Sequence, residues 1–313
     1  MKKQATREAY GKALLELGKK HQDIVVLDAD LSKSTKTAEF ARAFPERFIN
    51  AGIAEQNLMG MSAGLAAAGK SVFASTFAVF ATGRAFEQIR NSIAYADLDV
   101  KICATHAGIT VGEDGASHQS VEDIALMRSI PGMCVVVPAD GPSTAQLLEQ
   151  LYHRKRPAYL RLGRMAVEQV YGEEQKLELG RGVELRTGAE ASIFACGIMV
   201  DKALLAWELL KEKGISVSVV DMHTIKPLDQ ELVIKKAQET GAILTVEEHS
   251  IIGGLGSAIC ELLSEYCPVP VLRMGIRDEF GQSGSPQELL RHYGLEVEDI
   301  VQKVQKLLEI KLK

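Results

Sequence analysis

The sequence has few aromatic residues, few cysteines and no long hydrophobic run. Phe, Tyr and Trp together make up 5% of the 313 residues, and there is a single Trp. No apolar segment approaches the roughly eighteen residues of a membrane-spanning helix, and the first residues lead into a helical pattern rather than a signal peptide. We therefore expect neither a membrane span nor a membrane partner.

The cysteines and the charge exclude further classes of protein. The five cysteines are odd in number and scattered, and three lie in apolar runs. This pattern favours reduced, buried thiols over disulfides or a metal site, and it indicates a cytoplasmic location. The net charge of -5 gives no reason to expect nucleic acid as a partner.

Strands and helices alternate along the chain, which predicts an α/β fold class with two doubly wound domains, the second one smaller. Apolar residues make up 46% of the sequence, which is enough for two cores. A polar, helix-poor stretch places the linker at residues 171–184, between domains at 1–170 and 185–313. The first domain should contain a buried parallel strand at Ile24–Asp30 and a helix at Thr82–Ala96. Ligands bind outside the carboxyl ends of such strands.

Glu55 is the most informative single residue. It is the only acid between Glu46 and Glu87, and it lies between a predicted strand and a predicted helix of small and apolar residues. A carboxyl group that is partly buried at such a junction can hold or share a proton near neutral pH. An acid favoured by the dipole at a helix N-terminus explains the same position, and both interpretations remain open.

A glycine-punctuated loop at residues 105–122 contains two histidines and three acids. His106 and His118 suit proton transfer near pH 7 and could face one substrate from two sides. Each histidine alone could be structural, but two of them at a predicted strand-end edge favour a functional interpretation. A metal site that includes Glu113 and Asp114 is the rival, and it is disfavoured because no paired helical histidines or cysteines accompany these residues.

Two further local features are compatible with ligand binding. Phe77 and Phe80 lie three residues apart just past a strand end, where they could form a wall for a planar heterocycle or a simple core pair. The glycine-rich run Gly253–Gly256 precedes a helix and could bind a phosphate, although close packing of a turn explains it equally well.

Taken together, these segments resemble the C-terminal portion of transketolases, namely the pyrimidine-binding domain and the transketolase C-terminal domain. The likeness runs from Ala5 to the end of the chain. Its most specific parts are Phe48–Asn57, Gly112–Gln119, Ser129–Met133 and Pro138–Gly141. The resemblance implies that residues 1–170 form the pyrimidine-binding domain and residues 185–313 the C-terminal domain.

The resemblance also implies the cofactor and its ligands. Glu55 would pair with N1′ of the aminopyrimidine of thiamine diphosphate, and Phe77 and Phe80 would stack on that ring. Family members often have a third aromatic residue where this chain has Gly83. The catalytic residues would be Glu55, His106 and His118. The implied substrate-binding residues are Arg7, Asp30, Ser34, His106, Asp114, His118 and Arg164, of which the two arginines and Ser34 would hold a sugar phosphate.

One part of the family pattern is missing. Thiamine diphosphate enzymes hold Mg2+ and the diphosphate with a Gly-Asp-Gly motif and a later asparagine, and this chain has no such motif. The resemblance therefore implies a split transketolase of the pentose phosphate pathway. A separate N-terminal subunit would bind most of the Mg2+ and diphosphate, and the assembly would be an α2β2 heterotetramer that acts on phosphorylated sugars.

Three alternatives to a transketolase subunit remain. A 1-deoxyxylulose 5-phosphate synthase fragment is disfavoured because that family usually has an acidic-basic pair where this chain has Thr105 and His106. The β subunit of a 2-oxoacid dehydrogenase would have little use for several phosphate-holding residues. A non-catalytic binding protein of the same fold would be expected to lose at least one of Glu55, His106, Asp114 and His118.

Overall fold

The computed structural model describes residues 3–172 and 174–312, which form two α/β domains. Residues 1, 2, 173 and 313 belong to the predicted domain and linker ranges but lie outside the described residues. In the first domain the elements are β1 (Gln4–Ala5), α1 (Thr6–Lys20), β2 (Ile24–Asp28), α2 (Ser32–Thr35), α3 (Ala38–Ala43), β3 (Phe48–Asn50), α4 (Glu55–Ala67), β4 (Ser71–Phe77), α5 (Phe86–Gln88), β5 (Val100–Thr105), α6 (Asp123–Ser129), β6 (Cys134–Val136), α7 (Gly141–Arg154), β7 (Ala158–Arg161) and β8 (Ala166–Val167).

The second domain repeats the alternation of strands and helices. Its elements are β9 (Val183–Arg186), β10 (Ala191–Ala195), α8 (Met199–Glu212), β11 (Val217–Asp221), β12 (Thr224–Lys226), α9 (Gln230–Thr240), β13 (Ile243–Ser250), α10 (Leu255–Tyr266), β14 (Val271–Ile276), α11 (Pro286–His292) and α12 (Val297–Lys311). Short 3-10 turns lie at Pro45–Arg47 and Ile109–Val111, and π-helical turns lie at Phe80–Arg84 and Ile89–Ala94.

The first sheet has the strand order β12-β6-β7-β5-β4-β2-β3, and all its neighbouring strands are parallel except β12. Along the chain, β3 is added on one side of β2 and β4 on the other, so the strand order reverses there. Ligands bind at such a reversal in open parallel sheets. The carboxyl ends of β2, β4 and β5 therefore bring Asp28, Phe77 and Thr105 to one edge.

The second sheet has the order β14-β13-β10-β11-β9, in which only β9 is antiparallel. The second domain also contributes β12 to the first sheet, where Thr224 pairs with Val136. Arg161 makes a second contact between the domains: it pairs with Asp123 of its own domain over 2.8 Å and donates to the backbone oxygen of Glu248 in the second domain over 2.9 Å. The two domains are thus joined by both a strand and a charge network.

The predicted helix at Thr82–Ala96 is wrong in type. The chain there forms two π-helical turns that flank the short helix α5. A π-helical turn contains one more residue than an α-helical turn, and such turns are frequent at functional sites. The extra residue changes which side chains face the carboxyl edge of the first sheet.

The cysteine prediction is confirmed, since all five cysteines are free and three are buried: Cys103, Cys134 and Cys196. Among residues 3–172 and 174–312, no helix combines the length and the apolar character needed to cross a bilayer.

Candidate active site

Glu55 is the first residue of α4, and its side chain is only 2% exposed. The position next to the helix N-terminus favours a negative charge. Its Oε2 accepts a hydrogen bond of 2.7 Å from Nη1 of Arg84. Within the described residues, Oε1 of Glu55 has no hydrogen-bond partner. The buried carboxylate thus keeps one oxygen available for a ligand.

Two aromatic rings lie at and just past the end of β4, and Arg84 links one of them to this carboxylate, because its Cζ lies 4.7 Å from the centroid of the Phe80 ring. The rings of Phe77 and Phe80 are nearly parallel, at 13°, with centroids 6.0 Å apart. Phe77 also stacks on the imidazole of His106 with centroids 3.8 Å apart, and the ring of His118 stands edge-on to Phe80 at 5.5 Å. The structure therefore gathers both predicted aromatics and both predicted histidines into one cluster.

His106 is buried and follows β5 in a left-handed conformation with φ 56°. Burial first, and then the charges of Arg7 and Arg164, lower the pKa of His106 to about 3, so the ring is neutral at pH 7. Nη1 of Arg7 lies 3.3 Å from Nε2 of His106, and Oγ1 of Thr105 lies 2.8 Å from Nδ1. Because a guanidinium can only donate, Nε2 must be the acceptor and Nδ1 carries the proton.

Arg7 and Arg164 form a concentration of positive charge beside His106. Burial first and then the charge of Arg164 lower the pKa of Arg7, and its Nε is buried without a hydrogen-bond partner within the described residues. Arg7 donates to the backbone oxygen of Ser34 over 2.9 Å, and Arg164 donates to Asp114 over 3.1 Å. Two neighbouring cations, one with an unused donor, suit an anionic ligand.

The remaining predicted residues surround this cluster with fewer contacts. Asp30 has φ 62° and exchanges two hydrogen bonds of 3.0 Å with the side chain of Asn50. His118 is half-buried and contacts Oγ of Ser117 through Nδ1 at 3.0 Å. Its Nε2 has no partner within the described residues and is therefore open to a ligand.

Arg84 is a residue of the site that the sequence reasoning missed. Its guanidinium bonds to Glu55, and its Cζ lies 4.7 Å from the centroid of the Phe80 ring. The sequence gives no signal for it, because its contact with Glu55 depends on the π-helical turn Phe80–Arg84, whereas the sequence pattern predicts an ordinary α-helix there.

Asp28 is a second missed residue, and it shapes the loop that carries Asp30 and Ser34. It is fully buried at the end of β2, and its carboxylate accepts hydrogen bonds from the backbone of Leu31 and from two threonine hydroxyls. Burial raises the pKa of Asp28. The sequence alone does not show that Asp28 holds this loop, because an aspartate at the end of a strand forms no pattern that identifies its partners.

The phosphate interpretation of Gly253–Gly256 is wrong. The backbone N–H groups of Leu255 and Gly256 each donate to the buried carboxylate of Glu247 over 2.8 Å. An internal anion therefore already takes the donors at the N-terminus of α10. The glycines are required by close packing, since a Cβ on Gly254 would collide with the Glu247 carboxylate.

Comparison with known families decides what kind of protein carries this site. The transketolase pyrimidine-binding domain matches residues 2–169, and the transketolase C-terminal domain matches residues 180–300. The chain belongs to the transketolase family. The pyrimidine-binding domain of this transketolase-family chain contains the whole cluster around Glu55.

Three similar proteins have about the length of this chain. A Methanocaldococcus jannaschii protein assigned as the C-terminal section of a transketolase is 54% identical, over 95% of this chain and 94% of that protein. One of the subunits of an apulose-4-phosphate transketolase from Phocaeicola vulgatus is 43% identical over 95% of each chain. The solved structure of a split gene transketolase, an inactive beta4 tetramer, has a TM-score of 0.92 and 57% identity, with 98% of this chain and 99% of that chain covered.

Proposed function

We propose that this chain is the C-terminal subunit of a split, thiamine-diphosphate-dependent transketolase, which transfers a two-carbon ketol unit between phosphorylated sugars. The observation that carries the proposal is the buried Glu55 carboxylate: within the described residues its Oε1 has no hydrogen-bond partner, and Arg84, which binds its Oε2, lies over the ring of Phe80, which is stacked with Phe77. An acid and aromatic rings in this arrangement fit a protonatable heterocycle. The relatives reported above are named as transketolases, which favours this chemistry over a deoxyxylulose phosphate synthase or a 2-oxoacid dehydrogenase.

The residues present fit the aminopyrimidine end of thiamine diphosphate. Glu55 would hold N1′ through Oε1, and Phe77 and Phe80 would contact the ring. When bound, the cofactor supplies an electron sink for breaking and forming carbon–carbon bonds beside a carbonyl group. The part of Glu55 is to share one proton at N1′, which its position at a helix N-terminus and its low exposure allow.

The histidines have different parts in this proposal. His106 stays neutral because its pKa is about 3, and its Nε2 is held by Arg7. Its Nε2 therefore carries no proton that could be released to a substrate, and its part in the proposal is to orient Arg7 beside the substrate. Nε2 of His118 has no hydrogen-bond partner within the described residues, and its ring stands edge-on to Phe80, so it is the group that we expect to move protons at the sugar oxygens, beside Asp114.

Arg7 and Arg164 would hold the phosphate of the sugar, with Ser34 beside them and Asp30 toward the sugar hydroxyls. Arginine suits this task because its planar fork matches the oxygens of a phosphate dianion. The strongest local support for an anion there is the buried Nε of Arg7, which has no hydrogen-bond partner in the described part of the chain. The relative from Phocaeicola vulgatus is named for a phosphorylated sugar, which agrees with this substrate class.

The diphosphate and Mg2+ require a partner chain in this proposal. Within the described part of the chain, no three His, Cys, Asp or Glu side chains converge as metal ligands would, and the sequence has no Gly-Asp-Gly. A relative named as an inactive beta4 tetramer supports an α2β2 assembly as the active form.

The proposal is tested by reconstitution. The purified chain is mixed with an N-terminal transketolase subunit bearing Gly-Asp-Gly, in the presence of thiamine diphosphate and Mg2+, and ketol transfer from a phosphorylated ketose is measured together with the assembly mass. We expect activity only in the mixture, at a mass of two copies of each chain. An inactive mixture that forms a stable complex would contradict the proposed reaction.

The reduced thiols and the family also support the cytoplasm and the pentose phosphate pathway as the setting.

Replacing Arg164 by Ala should raise the KM for phosphorylated ketoses by about 10- to 100-fold, because a hydrogen bond to a charged group contributes about 1.5–3 kcal/mol. The kcat should change little, and the KM for the unphosphorylated sugar should stay the same. Steady-state kinetics of the reconstituted complex measure both. Arg156→Ala is the matched control, since this exposed arginine pairs with Asp97 on the surface. Equal effects of Arg164→Ala on both sugars would contradict the phosphate assignment.

A further inference from the structure

Arg84 closes the first π-helical turn, Phe80–Arg84, immediately after the two aromatic rings. Gly83 occupies the position where the family often has a third aromatic residue, and a Cβ there would meet no atom within 4 Å. The π-helical turn contains one extra residue, so the residue that returns to the ring cluster is Arg84 rather than Gly83. Arg84 therefore contacts the Phe80 ring, whereas Gly83 has no side chain that could.

The guanidinium of Arg84 makes one contact that a third wall residue would make, with Phe80, and a second contact, with Glu55, that an aromatic ring could not make. It lies over the face of Phe80, with Cζ 4.7 Å from the ring centroid, and it bonds to Oε2 of Glu55 over 2.7 Å. The backbone oxygen of Arg84 also accepts a hydrogen bond of 3.3 Å from the side chain of Gln56. The π-helical turn and the start of α4 are therefore tied together at two points.

We propose that Arg84 is the positioning residue of the pyrimidine site: its guanidinium completes the wall on Phe80 and fixes Glu55 so that only Oε1 faces the cofactor. The inference rests on the proposed function, because it takes Glu55 and Phe80 to be cofactor ligands.

The chemistry of arginine suits both contacts. A guanidinium is planar and weakly hydrated, so it stacks on aromatic faces as a heterocycle does, whereas a lysine ammonium is a hydrated point charge. A carboxylate with both oxygens free can rotate, which loosens the geometry of any proton that it shares. Once Arg84 binds Oε2, the rotation of Glu55 is restricted and Oε1 keeps one direction.

A purely structural explanation exists and predicts something different. Glu55 is 2% exposed, and a buried carboxylate needs a partner for folding stability. If Arg84 only satisfied that need, its loss would lower the melting temperature without affecting the cofactor bound to the folded protein. If Arg84 positions Glu55, its loss should act on cofactor binding and on proton exchange at C2 of the bound cofactor.

The experiment uses the reconstituted complex with Arg84→Met and Arg84→Lys, and with Arg90→Met as the matched control. Arg90 is exposed, and among the described residues its side chain bonds only to Asn91. Calorimetry gives the Kd of thiamine diphosphate, NMR gives the rate of hydrogen–deuterium exchange at C2, and melting curves of the chain alone give stability. Binding and melting are independent of turnover, so the readout does not depend on activity.

We expect Arg84→Met to slow C2 exchange by about 10- to 100-fold, the range of one charge-assisted hydrogen bond, and to raise the Kd by about tenfold. Arg84→Lys should recover most of the affinity but less of the exchange rate, and Arg90→Met should match the wild type. Values for Arg84→Met within twofold of the wild type, or a change in melting temperature alone, would overturn the inference. A wild-type complex that neither binds the cofactor nor transfers ketol units would instead refute the proposed function.

Discussion

Glu55→Gln is expected to slow C2 proton exchange of bound thiamine diphosphate by about 10²- to 10⁴-fold, the contribution typical of an acid–base group. The kcat of ketol transfer in the reconstituted complex should fall in parallel. The Kd for the cofactor should change far less, because an amide can still form a hydrogen bond with the pyrimidine. NMR exchange and calorimetry on the same preparation separate the two effects.

The reason lies in the difference between a carboxylate and an amide at this position. Glutamine has the shape of glutamate, and its oxygen can still accept from Arg84, so the contact of 2.7 Å should persist and the fold should be retained. An amide cannot take up a proton near neutral pH, so the proton at N1′ can no longer be shared. Arg84 is about half exposed, so water solvates the guanidinium when its counter-charge is removed.

Glu87→Gln is the matched control, since Glu87 is an exposed acid on the following helical segment that bonds only to Gln88 and Asn91. It should leave exchange, affinity and kcat at wild-type values. Unchanged C2 exchange in Glu55→Gln would remove Glu55 from its assigned role and, with it, the reason to expect a cofactor at this edge of the sheet.

The buried strands of this fold could be predicted well from the sequence. The apolar run at residues 24–30 is a strand in the structure, shortened to Ile24–Asp28 because the chain turns at Asp30, where φ is 62°. A strand buried on both faces is a continuous apolar run, so the pattern is local and visible. β12 has no such pattern, because three residues pair with a strand of the other domain and only tertiary contacts specify that pairing.

The site was predictable to the extent that it follows from the topology. His106 and Phe77 meet because β4 and β5 are neighbouring parallel strands that end together, and their residues were predicted to lie at one edge. Arg84 was not predictable in the same way. Its position depends on a π-helical turn, and the helical periodicity of the sequence predicts an ordinary α-helix there. One extra residue in a turn changes which side chain reaches Glu55.

His118→Ala is the second change with a large expected effect. We expect kcat to fall by about 10²- to 10⁴-fold, as for other acid–base groups, while the Kd of the cofactor stays within about threefold. The two histidines of the cluster are not equivalent. Both ring nitrogens of His106 are engaged, by Arg7 and by Thr105, and its low pKa keeps it neutral.

In His118 the ring nitrogen Nε2 has no hydrogen-bond partner within the described residues. Only its Nδ1 is engaged, by Ser117, and the ring stands edge-on to Phe80 at 5.5 Å, facing the proposed sugar site. Stopped-flow and steady-state kinetics of the reconstituted His118→Ala complex measure the loss, with His153→Ala as a control on an exposed histidine of the same domain. Activity within about threefold of the wild type would make His118 structural, and proton transfer at the sugar would then have to be assigned to another group of the loop, such as Asp114, which pairs with Arg164.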